Sequence, residues 1–278
     1  MSGVYSVKQV ESLDDYKILV RKNKSRLGKA VTNCRLLSSA FLRPIESGRL
    51  FWERVPNGLV FLMDEGGYLN VFYHLREGST LPSLNTGKVL LVEEVVRSGA
   101  QPSQLLDSSG FTCVRQNLQY SYTCENVMEE SCPQNVTGHH LTRCEDEAMA
   151  SQVISLWERH LAVFDVPADH LDFLACGDTV LCAVDNEGAV AGAYWWHDAG
   201  RTRNARHVVV GQAHRRKGIA RALMLSCLFD ARQTGILRVL TWISDTNAAS
   251  IALHESIGYT RTGQEIWQYE RDERVIHG

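Results

Sequence analysis

The sequence predicts a mixed α/β protein made of two tandem domains. Three observations carry that expectation. The chain has 278 residues, about twice the size of a common single domain. Its second half reads as a run of strands followed by strand, helix, strand, helix, strand, which is a mixed α/β layer rather than a doubly wound one. Its first half repeats that outline more faintly. With 44% hydrophobic and 22% charged residues, the composition is globular and excludes a fibrous or disordered chain.

In the first half, Tyr16, Leu19, Val20 and Leu27 recur at helix-compatible spacings, which predicts a helical region from about Leu13 to Leu42. Lys17, Arg21, Lys22, Lys24, Arg26, Lys29 and Arg35 make this region basic. Without interleaved aromatics, a solvated face explains the charges better than a nucleic-acid surface. Leu59–Met63 and Tyr68–His74 flank Asp64-Glu65-Gly66-Gly67 and predict a hairpin. Lys88–Val92 predicts a strand, Pro102–Ser109 a short helix, and Gly110–Tyr122 another strand. Pro133, Asn135 and Gly138 mark a linker, with the domain boundary near residue 137, giving domains 1–137 and 138–278.

The second half is more legible. Leu141–Cys144 predicts a short strand and Glu147–Leu161 a helix whose apolar stripe is Ala150, Val153, Ile154 and Trp157. Thr179–Val184 and Ala189–Trp196 are strands joined by Asp185-Asn186-Glu187-Gly188. Arg206–Val210 is a third strand. It leads through a glycine-bearing turn into a helix over Gly218–Gln233 that Gly235 closes. Val239–Ser244 is a strand, Asn247–Ser256 a helix ended by Gly258, and Gln264–Tyr269 the last strand.

Global properties narrow the function classes. A formal net charge of -3 and a pI near 6.4 give no whole-molecule attraction for nucleic acid or an anionic membrane, so any basic site is local. The eight cysteines show no CxxC pair or zinc-ligand spacing. Reduced thiols are expected, Cys182 and Cys227 among them as buried small hydrophobes, and no metal site. The N-terminus lacks a secretion-signal pattern and the apolar runs are too short to span a bilayer, so a soluble cytoplasmic protein is expected.

One passage carries chemistry. Val208-Val209-Val210-Gly211-Gln212-Ala213-His214-Arg215-Arg216-Lys217-Gly218-Ile219-Ala220 is an apolar strand, a basic turn and a helix start. The first N–H groups of a helix have no internal partner, and the helix dipole adds positive potential there. A diphosphate suits such a place. Gly218 admits close backbone approach, Ala220 keeps the next turn small, and Arg215, Arg216 and Lys217 add charge. Spacing alone leaves a solvated tight turn equally open.

This passage resembles the motif of the GNAT superfamily of acyl-CoA N-acyltransferases: Gln or Arg, two residues, Gly, one residue, then Gly or Ala. Here it stands as Arg215, Arg216-Lys217, Gly218, Ile219, Ala220, with Val210 closing the strand five residues upstream and Gln212 where proline is common. A second match follows. The superfamily's Asn-initiated helix, closing with Leu-Tyr-Glu and Gly-Phe or Gly-Tyr, is similar to Asn247 through Leu253-His254-Glu255-Ser256-Ile257-Gly258-Tyr259. The likeness covers about 140 residues from Leu141 onward.

The resemblance implies acetyl-CoA as co-substrate and no metal. Arg215, Arg216, Lys217, Gly218, Ile219 and Ala220 would hold the pyrophosphate. Val208, Val209 and Val210 would bond the pantetheine arm and polarise the thioester carbonyl. Asn247 would contact that arm or cap its helix. It further implies an amine acceptor on a small molecule or peptide, in a monomer or homodimer. The superfamily's thiolate-protonating tyrosine is replaced by His254, which stands seven residues from Asn247 and hence on nearly the same helix face. Imidazolium is chemically competent for that step, and a buried structural histidine is the alternative. His207, preceding the valines where a carboxylate is common, is the candidate base, with a structural hydrogen bond as its alternative. Trp195 and Trp196 alternate across their strand, so one is expected in the core and the other is a candidate for the acceptor pocket, with core packing of both equally open. The first half resembles a degenerate GNAT-type half that has lost the phosphate turn. A non-catalytic acyl-CoA-binding or sensor protein remains the second reading.

Overall fold

The computed structural model describes residues 7–27, 30–34, 41–101, 103–126, 135–136, 138–161 and 178–274. Two compact units form, Met1–Gln116 with Glu265–Gly278, and Asn117–Gln264.

The N-terminal unit contains β1 (Lys8–Gln9), α1 (Leu13–Leu27), β2 (Ala30–Thr32), α2 (Leu42–Glu46), β3 (Leu50–Val55), β4 (Gly58–Asp64), β5 (Tyr68–Arg76), β6 (Val89–Arg97) and α3 (Gln104–Ser108), and the start of β7 (Thr112–Thr123). Ser12 starts α1 by accepting a hydrogen bond from the Asp15 N–H at 3.1 Å. The predicted hairpin forms as β4 and β5, with β3 on its far side. Alternation along these strands sends Leu59 and Phe61 to one face, against Tyr16 and Phe41, and Val60, Leu62, Val71 and Tyr73 to the other, with Leu90, Phe111, Trp267 and Tyr269. The expected helix to Leu42 is corrected. It stops at Leu27, and Ala30–Thr32 pairs with β5, because β-branched Val31 and Thr32 find an open strand edge there.

The C-terminal unit contains β8 (Asn135–Val136), β9 (His139–Arg143), α4 (Glu147–His160), β10 (Thr179–Asp185), β11 (Val190–Ala199), β12 (Thr202–Val210), α5 (Ile219–Gln233), β13 (Arg238–Ser244), α6 (Ala248–Ile257) and the start of β14 (Thr260–Asp272). Its strands run β7, β13, β12, β11, β10, β9, β8. Part of the expected linker is thus a strand, since Asn135 and Val136 pair with β9; Pro133 lies outside the described residues. Helix α4 begins at Asp146, whose carboxylate accepts from the Met149 N–H at 2.7 Å, and buries Ala150, Val153, Ile154 and Trp157 on one face of the sheet. Helix α5 buries Leu223, Met224, Cys227 and Leu228 on the other. Cys182 and Cys227 are fully buried, and the six described cysteines outside the masked segments are free thiols.

Arg203 anchors α5 to this sheet. Fully buried, it donates to both Asp198 carboxylate oxygens at 2.8 and 2.9 Å and to the Cys227 carbonyl at 2.8 Å, and meets Asp230 at 2.7 Å. An isolated buried guanidinium would be costly, and these partners are what offset its desolvation.

Candidate functional site

The centre of the site is the way β12 leaves its neighbour. β12 pairs in parallel with β13 only from Thr202 to Ala205, opposite Arg238 to Thr241. On its other side, β11 continues to the end: Tyr194 is opposite Val208 and Gly192 opposite Val210, with a register shift between Tyr194 and Trp196. Two residues, Arg206 and His207, therefore face the single residue Trp195, which is a β-bulge. Past the bulge, the Gly211 N–H bonds to the Ala191 carbonyl at 2.9 Å. By alternation, Val209 also faces β11, and the N–H and C=O groups of Val208 and Val210 face the edge that β13 has left. Among the described residues, no strand pairs with that edge beyond Ala205. A row of backbone donors and acceptors is thus presented beside a basic turn.

The turn follows directly. Gln212–His214 forms one 3₁₀ turn, and Arg215 returns to extended geometry. Arg216 adopts φ 63° and Gly218 φ 81° before α5 begins. Two left-handed residues so close together reverse the chain sharply and turn successive N–H groups towards one side. The first helical bond runs from the Ala222 N–H to the Gly218 carbonyl, so the Ile219, Ala220 and Arg221 donors precede the ladder. A close contact fixes this helix start on the sheet: a methyl group at Gly192 would sit 3.1 Å from Ile219 Cγ2. Arg215 Nε donates to the Val210 carbonyl at 3.1 Å, while Arg216 and Lys217 are exposed. The turn's positive potential reaches α4, where burial first, and then Arg215 and Arg159, hold the His160 pKa below its ordinary value. His214 Nδ1 lies 3.0 Å from His139 Nε2, tying the turn to β9.

The site residues expected from sequence take different positions around this edge. Val208, Val209 and Val210 with Arg215 to Ala220 form one continuous strand, turn and helix start. Asn247 is the exposed N-cap of α6, accepting from the Ser250 N–H at 3.1 Å. His254 is the sole buried residue of α6, 2% exposed. Its Nδ1 is 2.8 Å from the Ser250 carbonyl, so the proton sits on Nδ1 and the lone pair on Nε2. Burial holds its pKa below the ordinary value, partly opposed by that bond, and its ring meets Tyr259 edge-on at 5.0 Å. Tyr259 packs in the core at 2% exposure, where burial raises its pKa far above the ordinary value. His207 is half-buried at the bulge with its ring 6.0 Å from Trp195.

Both tryptophans belong to the core, on opposite faces. Trp195 stacks on Trp157 at 5.3 Å and donates to Asp178 at 2.9 Å, whereas Trp196 lies beneath Arg203 on the α5 side. No residue pattern announces the bulge, because it is a property of register between β11 and β12. Nor did it single out Gly192, whose role is to let α5 approach. Among the described residues no group of three His, Cys, Asp or Glu side chains is arranged to hold a metal ion, and no helix is long and apolar enough to cross a membrane.

Residues 149–259 match the acetyltransferase (GNAT) family. Over 61 residues the chain is 36% identical to human N-acetyltransferase 8, covering 22% of this chain and 27% of that protein. Over 57 residues it is 42% identical to the L-methionine sulfoximine/L-methionine sulfone acetyltransferase of Salmonella typhimurium, covering 20% and 33%. The matched stretches thus span a third or less of these relatives. Among solved structures, a tandem GNAT protein from the clavulanic acid biosynthesis pathway superposes with a TM-score of 0.65 at 14% identity, covering 97% of this chain and 98% of that one. The shared fold therefore extends over both halves.

Proposed function

Because residues 149–259 match the acetyltransferase (GNAT) family, we propose that the chain is a GNAT-type acyltransferase that transfers an acetyl group from acetyl-CoA to a primary amine of a small molecule or peptide. The observation that carries this reading is the edge of β12 past the bulge, running without interruption into the left-handed turn and the N–H groups that precede the hydrogen-bond ladder of α5. We assign residues 138–278 as the catalytic half and 1–137 as the degenerate one.

In this reading the N–H groups from Arg216 to Ala220, with the Arg216 and Lys217 charges, take the diphosphate. The Val208 and Val210 edge takes the pantetheine amides, as one further strand would. The Val208 N–H then polarises the thioester carbonyl as negative charge grows on its oxygen. The remaining task is proton transfer, since an amine with a pKa near 10.4 is almost wholly protonated at neutral pH. His207, at the bulge beside this edge, is assigned as the base. His254 is kept neutral with its N–H committed to Ser250, so it gives the thiolate a proton only after accepting one on Nε2. Once formed, a buried imidazolium is a strong acid, which suits that transfer. A cytoplasmic location and a monomer or homodimer complete the proposal.

Thiol release from acetyl-CoA over an amine panel tests the reading. The expected result is turnover with at least one amine, and a kcat that falls in His207→Ala and His254→Ala while CoA still binds. Tight CoA binding without turnover across the panel would favour an acyl-CoA-binding or sensor protein, the reading that the missing tyrosine supports.

A further inference from the structure

The N-terminal unit contains the same strand divergence, and something already lies in it. β5 and β6 pair in parallel only over Tyr68 to Asn70, opposite Val89 to Leu91, and then part. β4 covers one edge of β5 from Leu69 to Leu75. β2 therefore uses the other edge, the one β6 has left, with Ala30 opposite Arg76, Val31 opposite Leu75 and Thr32 opposite His74. The next residue continues the line with its side chain. Asn33 Oδ1 accepts from the Tyr73 N–H at 2.7 Å, and its Nδ2 donates to the Val71 carbonyl at 2.8 Å and to the Glu93 carbonyl at 3.3 Å. One carboxamide thus spans both arms of the wedge, donating and accepting as a secondary amide of a bound arm would.

We infer that the N-terminal wedge is a cofactor-type cleft whose permanent ligand is residues 30–33 of its own chain, with Asn33 standing in for a pantetheine amide, so that each chain takes one acyl-CoA. The inference rests on the proposed function for its contrast with the C-terminal unit. The strap itself is read from the N-terminal unit alone. It assigns Ala30–Thr32 and Asn33 a role that the loss of a phosphate turn does not require: an edge lacking that turn would otherwise still offer bonds to any extended ligand or strand.

Residue-resolved hydrogen exchange on the full chain, with CoA as the probe, tests it. In the free chain the Tyr73 and Leu75 amides are expected to exchange slowly, with rates unchanged by CoA. The Val208 and Val210 amides are expected to slow about tenfold or more on CoA addition, and calorimetry to give one CoA per chain. Asn33→Ala is expected to speed Tyr73 exchange about tenfold, the loss of one hydrogen bond, with CoA affinity unchanged. A second equivalent of CoA, CoA-dependent slowing at Tyr73 or Leu75, or fast exchange of both in the free wild type would overturn the strap. Should Asn33→Ala not fold, the wild-type rates decide alone. Absence of CoA binding with slow Tyr73 and Leu75 would sink the C-terminal function and support the strap.

Discussion

The two units solve the same architectural problem in opposite ways. Each contains a parallel strand pair that separates after a few residues, Tyr68–Asn70 beside Val89–Leu91 in one and Thr202–Ala205 beside Arg238–Thr241 in the other. Separation leaves backbone donors and acceptors on a strand edge, and exposed polar backbone needs partners. The N-terminal unit supplies them from its own chain, through β2 and Asn33. In the C-terminal unit no strand among the described residues pairs with that edge, where only the Val210 carbonyl is met, by Arg215 Nε, and a turn with two left-handed residues and a helix start follow. The difference teaches that the fold by itself does not make a donor site. In the proposed reading, an edge left without a partner strand and joined to a basic turn does.

The largest effect that would break this contrast comes from the turn. Gly218 has φ 81°, and a Cβ there would meet only Val136 Cγ1 at 4.0 Å, so packing does not forbid a side chain. Backbone strain does, at about 1–2 kcal/mol for a left-handed L-residue. Relief of that strain would turn the N–H groups away from the diphosphate. Each bond lost to a charged acceptor is worth about 1.5–3 kcal/mol, so Gly218→Val should raise the KM for acetyl-CoA roughly 100-fold or more. Gly78 is the matched control, with φ 78° and nothing within 4 Å. Gly78→Val should cost similar stability and leave that KM unchanged. Equal KM values in the two variants would refute the assignment of the turn.

How much of this contrast was legible depended on the kind of signal. Local signals were readable: the turn and helix start at Arg215–Ala220, the cap at Asn247 and the apolar stripe of α4 depend on residues close in sequence. Register was not. The bulge at Arg206 and His207 exists only relative to Trp195 of β11, and β2 exists only because β6 parts from β5. The helical spacing of Tyr16 to Leu27 therefore carried the reading too far, across Val31 and Thr32. Likewise Asn247 and His254 share a helix face by spacing, yet one is an exposed cap and the other is buried against Tyr259.

A second test compares the units through their buried histidines. His74 is 5% exposed, its Nε2 has no hydrogen-bond partner among the described residues, and burial, followed by the Lys24 charge, lowers its pKa to about 4. His254 is shifted in the same direction. A histidine that binds protons less well when folded leaves stability intact above its unfolded pKa of about 6.5. As pH falls from there towards 4, the unfolded chain takes up the proton first and stability declines. For His74 the loss should be on the order of 2–3 kcal/mol by pH 4. Urea midpoints between pH 7.5 and 4.5 should fall in the wild type and fall less in His74→Gln. If exchange protection is lost in the N-terminal unit first, the units differ in acid stability as well as in ligand.

The smallest effect separates a cap from a contact. Ser12 caps α1 in one unit and Asn247 caps α6 in the other, each accepting from an N–H three residues on at 3.1 Å. Replacing either by alanine removes one satisfied donor at a helix start, a cost of about 1 kcal/mol. Thermal melts should therefore show similar shifts for Ser12→Ala and Asn247→Ala. Kinetics should not agree. Ser12 has no proposed ligand, so its variant should keep the wild-type KM for acetyl-CoA. Asn247, if it reaches the pantetheine arm as well as capping α6, should add a rise of a few-fold, the size of one neutral hydrogen bond. Asn247→Asp separates the two roles further, because aspartate caps a helix as well as asparagine but cannot donate to a carbonyl. Restored stability with a KM still raised would place Asn247 on the ligand. Restoration of both would make it a cap alone, and the difference between the units would then reside wholly in the β12 edge and the turn.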